Sequence, residues 1–153
     1  MRSITQLCSV VVLTVFANTS ANGHIVLQKK SAPRASYYAA VFKVGHGCEG
    51  IATTELIMTL PAGVRLLDAP AKTGWQIDKS KTEQIRWVRD SSAAASNDEF
   101  MVDVVLPDVA GTLYWPIKQI CGAVTVDWQE TPNAAEPTLK LKLPAAKLDL
   151  TEK

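Results

Sequence analysis

Proline, glycine and small polar residues cut this chain into short runs rich in β-branched and aromatic side chains, and between the cuts no long helical pattern develops. The runs occupy residues 24–28, 37–44, 54–60, 64–67, 75–77, 84–88, 100–106, 112–120, 124–128 and 139–143. Pro61-Ala62-Gly63 closes the third run and Pro107-Asp108 the seventh, while the polar residues 78–82 join 75–77 to 84–88 as a hairpin turn would. Residues 100–106 alternate with Asp103 facing outward. The last run, Leu139-Lys140-Leu141-Lys142-Leu143, alternates so strictly that one face is expected to be buried and the lysines solvated. Many short strands at a spacing of about 10 residues predict an all-β chain, a two-sheet β-sandwich of immunoglobulin-like type. The alanine-rich piece 91–96 fits either a helical turn or a loop.

Ahead of these runs lies a leader. Residues 1–23 hold one charge, Arg2, then an apolar stretch from Leu7 to Ala17 and a small, polar end at Ala21-Asn22-Gly23. About 11 apolar residues are too few for a membrane span of about 20 and suit a secretory signal. Cleavage after Gly23, with Ala17 and Ala21 as the competing sites, divides the chain into a signal peptide at 1–23 and a single domain at 24–153, periplasmic or secreted. Cys8 lies at the start of the apolar stretch, before Val10-Val11-Val12-Leu13 and not after it, which argues against a lipoprotein anchor, and no later segment is apolar enough to span a bilayer. With Arg2 removed, the 16 basic residues fall level with the 15 acidic ones. That balance offers no electrostatic footprint for nucleic acid or an anionic membrane. Cys48 and Cys121 then meet an oxidising compartment, where a disulfide is the default. It would close a loop of about 70 residues and stabilise by about 4 kcal/mol. A thiolate pair on zinc is the rival, and no Cys-x-x-Cys spacing supports it.

Chemistry enters at the junction. If His24 becomes the first residue, its free amine and its imidazole can close a six-membered chelate ring on one metal ion. Both groups lose a proton at small cost near neutral pH, and nitrogen donors in a tetragonal arrangement suit copper(II). The plainer reading is that His24 begins an edge strand. A two-nitrogen chelate leaves positions open, and Gly45-His46-Gly47-Cys48-Glu49-Gly50 is the natural supplier: its glycines make a turn and it carries His46 and Glu49. Alternatively, these two side chains are simply hydrated on a loop stapled by Cys48. Met58 and Met101 lie in strands and form no thioether cluster for copper(I). The chain shows no Gly-x-Ser-x-Gly elbow, phosphate-cradling loop or His-Glu-x-x-His, and it holds only two histidines, so no enzyme is expected.

Several of these motifs occur together in order: His24-Ile25-Val26-Leu27, Gly45 to Gly50, Thr53-Thr54, Leu60-Pro61-Ala62-Gly63-Val64, Gly74-Trp75-Gln76, and Tyr114-Trp115-Pro116-Ile117-Lys118-Gln119-Ile120-Cys121. In this the chain resembles the YcnI-like family of secreted copper-binding proteins across nearly all of 24–153. The resemblance implies an immunoglobulin-like sandwich that holds copper(II) through a single-histidine brace: His24, the carboxylate of Glu49, and Trp128 beside the ion. The Gly-His-Gly-Cys loop departs from the family pattern, and Asp127 is the next carboxylate to test. Without the resemblance, Trp75, Trp87, Trp115 and Trp128 all read as core anchors.

The function expected is therefore copper(II) buffering or delivery outside the cytoplasm, with a copper ion, another extracytoplasmic copper chaperone or a copper transporter as partners. Two alternatives stand beside it: a copper-dependent oxidase with a His24/His46 brace, and an envelope interaction module without a physiological metal.

Overall fold

The computed structural model describes residues 24–91, 98–135 and 140–153, and every regular element among them is a strand. The leader, residues 92–96 of the alanine-rich piece and Leu139 lie outside the described residues. The strands are β1 (Val26–Leu27), β2 (Ser31–Pro33), β3 (Tyr37–Val44), β4 (Glu55–Thr59), β5 (Arg65–Asp68), β6 (Trp75–Asp78), β7 (Gln84–Arg89), β8 (Asp98–Val105), β9 (Gly111–Trp115), β10 (Ile117–Cys121), β11 (Val124–Trp128) and β12 (Ala146–Thr151). They form a four-stranded sheet in the order β1-β3-β8-β5, a five-stranded sheet β11-β10-β4-β7-β6, and a three-stranded sheet β2-β12-β9. All pairings are antiparallel except β12 with β2. The expected hairpin of 75–77 with 84–88 is present as β6 and β7, with Ile77 opposite Trp87.

Period-two alternation decides which side chains meet between the sheets. Along β3, Tyr38, Ala40, Phe42 and Val44 turn inward; along β8, Phe100, Val102 and Val104 do. Trp75 on β6 and Trp87 on β7 come from the opposite sheet to stand edge-on to Phe100, with ring centroids 4.9 and 5.4 Å apart. Trp115 at the end of β9 meets Phe42 in the same way at 5.3 Å. Edge-to-face pairs of this kind add about 0.5–1.5 kcal/mol each beyond the area they bury. Tyr38 is buried in this core, which pushes its phenol up to about 12, and its hydroxyl donates to the Lys29 carbonyl at 2.5 Å, tying the turn after β1 to β3.

Two expected strands differ. The run 112–120 is not one strand: Pro116 has no N–H to give to a ladder, and there the chain leaves the three-stranded sheet as β9 and enters the five-stranded sheet as β10. Residues 140–143 form no strand either. Lys140 and Lys142 are exposed and Leu141 and Leu143 only half-buried, because the main chain there is claimed by Glu130. The Glu130 carboxylate accepts from the N–H groups of Lys142 and Leu143 at 2.6 and 2.9 Å, and the Leu143 carbonyl accepts from Gln129 and Glu130. The closing strand is β12, whose Ala146, Leu148 and Leu150 alternate inward between β9 and β2.

Candidate functional site

β1 lies at one edge of the four-stranded sheet and β11 at one edge of the five-stranded sheet. Ile25 and Leu27 are buried and hold β1 against β3, with Leu27 opposite Phe42 and the Gln28 N–H donating to the Val41 carbonyl at 2.8 Å. His24, one residue before this anchor, is half-buried. Its imidazole stands edge-on to the Trp128 ring at the end of β11, with centroids 5.9 Å apart and planes at 73°. His24 and Trp128 are thus brought together from opposite ends of the domain's sequence. Beside His24 a groove of about 240 Å³ runs along Ile25 and Val26 to Pro144, Ala145 and Ala146.

Trp128 is a buried tryptophan like the other three, and its indole N–H has a partner inside the sandwich. It donates to the Gln119 side-chain oxygen at 2.9 Å. The Gln119 amide nitrogen donates in turn to the His46 carbonyl at 2.9 Å and to the Thr53 hydroxyl at 2.8 Å. From Thr53 the polar contacts continue inward. Its carbonyl accepts from Arg89 Nε at 2.7 Å, Arg89 pairs with buried Asp98, and Lys72 Nζ lies 3.4 Å from the other Asp98 oxygen.

The 45–51 loop is fastened to the same strand. Cys48 and Cys121 form a disulfide with Cα atoms 5.7 Å apart, which places the loop on β10 beside Gln119. Cys48 and Ile51 exchange both main-chain hydrogen bonds, at 2.8 and 2.9 Å, around Glu49 and Gly50. Glu49 has φ +50° and Gly50 φ +82°, the pairing of a tight primed turn. Gly47 is obligatory: a Cβ there would fall 1.7 Å from the Ile51 carbonyl oxygen. A turn is present as the glycine cluster predicts, with Gly50 inside it and Gly47 against its closing residue, while Gly45 lies ahead of it.

The predicted side chains occupy different parts of this arrangement. Glu49 is exposed at the tip of the turn. His46 is exposed, with Nδ1 2.5 Å from the Gly47 carbonyl, the contact of a donating N–H, and its main chain shares the Gln119 amide with Trp128. Asp127 lies on the outer face of β11 in an ion pair with Lys118 at 3.3 Å, since neighbours along a strand point to opposite faces. Among the described residues, no three His, Cys, Asp or Glu side chains are grouped to hold a metal ion. The donor chemistry at His24 is therefore one imidazole, plus an amine if the chain begins there. Gln119 and Thr53 are the site-bordering residues that strand reading overlooks; the legible signal is a glutamine at an inward position of Ile117-Lys118-Gln119-Ile120-Cys121.

Residues 24–150 match the model of a protein family described as a domain of unknown function, DUF1775. The crystal structure of an uncharacterized protein from Nocardia farcinica, with an immunoglobulin-like fold, superposes with a TM-score of 0.69 at 26% identity, covering 83% of this chain and 97% of that one. The seventh ScaB type I cohesin from Pseudobacteroides cellulosolvens superposes with a TM-score of 0.53 at 10% identity, over 85% of this chain and 92% of the cohesin. The sixth cohesin of scaffoldin B from Acetivibrio cellulolyticus, solved with a dockerin, gives 0.52 at 11% identity, over 84% and 98%. Identities this low for the cohesins speak to fold alone. No curated protein matches the chain.

Proposed function

The chain belongs to the DUF1775 family, which takes in the YcnI-like proteins it resembles, and from that premise we propose that residues 24–153 act outside the cytoplasm as a copper(II)-binding sandwich. On this reading, removal of residues 1–23 exposes the amine of His24, and amine and imidazole together chelate the ion. The carrying observation is that the residue where the family match begins is also the residue that meets Trp128 at the sandwich flank. The donor set fits a copper(II) chelate better than a zinc site. Copper(II) accepts a tetragonal set that an amine and an imidazole can begin, whereas zinc in proteins takes three or four side-chain donors.

Trp128 would wall one side of the ion and limit water there. Glu49 is the carboxylate nearest in role, carried on a loop that the disulfide and Gln119 hold to β10. With one residue supplying the strong donors, the protein suits buffering copper or passing it to a chaperone or transporter, because a ligand set this small can be displaced stepwise by a partner.

The test is direct. Protein beginning at His24 is titrated with copper(II), following tryptophan emission and the spin-resonance spectrum, beside the same protein carrying one glycine ahead of His24. The extension converts the amine into an amide and is expected to weaken binding by about 100-fold or more, the upper end of what altering a metal's surroundings usually does. Equal affinity in the two forms rejects the proposal.

A further inference from the structure

Strand β10 turns Ile117, Gln119 and Cys121 inward, so an amide stands where the alternation asks for an aliphatic side chain. Gln119 is 1% exposed. A polar group at such a position departs from the binary pattern, and departures of this kind collect at sites with a task. The amide is also fully engaged, as a buried one must be. Its oxygen accepts from Trp128, and its two N–H groups serve the His46 carbonyl and the Thr53 hydroxyl. An indole N–H can only donate and a carbonyl oxygen only accept, so the partners settle which way the amide points.

One of the three partners meets His24 itself, and the other two belong to the 45–51 loop and to the residues just after it. Trp128 carries the ring that His24 meets, His46 lies in the loop bearing Glu49, and Thr53 immediately follows that loop's return. We propose that Gln119 is the positioning residue of this site: one side chain fixes the Trp128 indole edge-on to His24 and pins the 45–51 loop through the His46 carbonyl. The inference rests on the copper reading only for its consequence for affinity. A second consequence follows from the same bond. With its nitrogen committed to Gln119, Trp128 faces a bound ion through its ring and not as a nitrogen ligand.

The experiment uses the ¹⁵N-labelled protein beginning at His24, without metal, with the Trp128 indole signal assigned by its loss in Trp128→Phe. In Gln119→Met, which keeps the shape and removes the oxygen, the Trp128 indole N–H is expected to exchange with solvent about tenfold faster or more. Copper(II) affinity is expected to fall about tenfold, the order set by one lost hydrogen bond. Ile117→Val loosens the same strand without touching the amide and is expected to leave both readings unchanged. Equal indole exchange in native protein and Gln119→Met overturns the proposal, and so does an equal fall in affinity for Ile117→Val. Should Gln119→Met not fold, Gln119→Glu serves instead. It keeps an acceptor for Trp128 while setting an oxygen against the His46 carbonyl, so the indole stays protected and the His46 and Gly47 amide signals move; an unprotected indole there overturns the proposal. Failure of the native protein to bind copper(II) sinks the function proposed above, and the metal-free exchange measurement still judges Gln119 on its own.

Discussion

At the scale of single residues, Glu49 combines two demands on one position. A carboxylate with φ +50° at the head of a tight turn is in the left-handed region, where non-glycine residues carry about 1 kcal/mol or more of strain. Asparagine tolerates that region better. Glu49→Asn is therefore expected to raise the urea midpoint, by up to about 1 kcal/mol in stability, while loosening copper(II) binding through loss of the carboxylate. A variant that gains stability and keeps full affinity would move the oxygen donor away from Glu49. Gly47, two residues earlier, has no such latitude, because its missing Cβ is what lets the Ile51 carbonyl approach. His24 directly precedes an anchored pair, since Ile25 and Leu27 are both buried.

At the scale of elements, two alternating segments near the C-terminal end of the sequence, 139–143 and 146–151, could each close the sandwich, and 146–151 does so. In 140–143 the main-chain groups are taken by Glu130, whereas 146–151 reaches both β9 and β2 and buries Leu148 completely. The difference is measurable. Leu148→Ala is expected to cost about 3 kcal/mol by urea unfolding, and Leu141→Ala, half-buried in the preceding loop, under about 1 kcal/mol. Comparable losses would mean that 139–143 is a core strand after all. A strict alternation identifies a segment able to be a strand, but pairing partners decide whether it becomes one. Pro116 shows the converse: a continuous β-rich run from 112 to 120 serves two sheets because one residue in it cannot donate.

At the scale of the whole molecule, the Cys48–Cys121 disulfide joins the 45–51 loop to the end of β10 across 73 residues of sequence. In the chain-entropy account, a closure of that length stabilises by about 4 kcal/mol. Reduction is accordingly expected to lower the urea midpoint by an amount near that figure and, because the loop hangs on β10 beside Gln119, to weaken copper(II) binding as well; a reduced protein with an unchanged midpoint would show that the bridge is incidental. The all-β class, the β6–β7 hairpin, the alternation of β8 with Asp103 on its outer side and the pairing of the two cysteines were all legible in the residues, because alternation, turn chemistry and cysteine count are local or nearly local signals. His24, His46, Glu49 and Trp128 could be singled out by residue type and motif. That His24 meets Trp128, that Gln119 ties Trp128 to the His46 loop, and that Asp127 is turned outward to Lys118 were decided only by the tertiary structure. Two of these contacts, His24 with Trp128 and Gln119 with His46, join residues about 70 to 100 positions apart in the chain, and no periodicity in a strand records which distant segment will lie across from it.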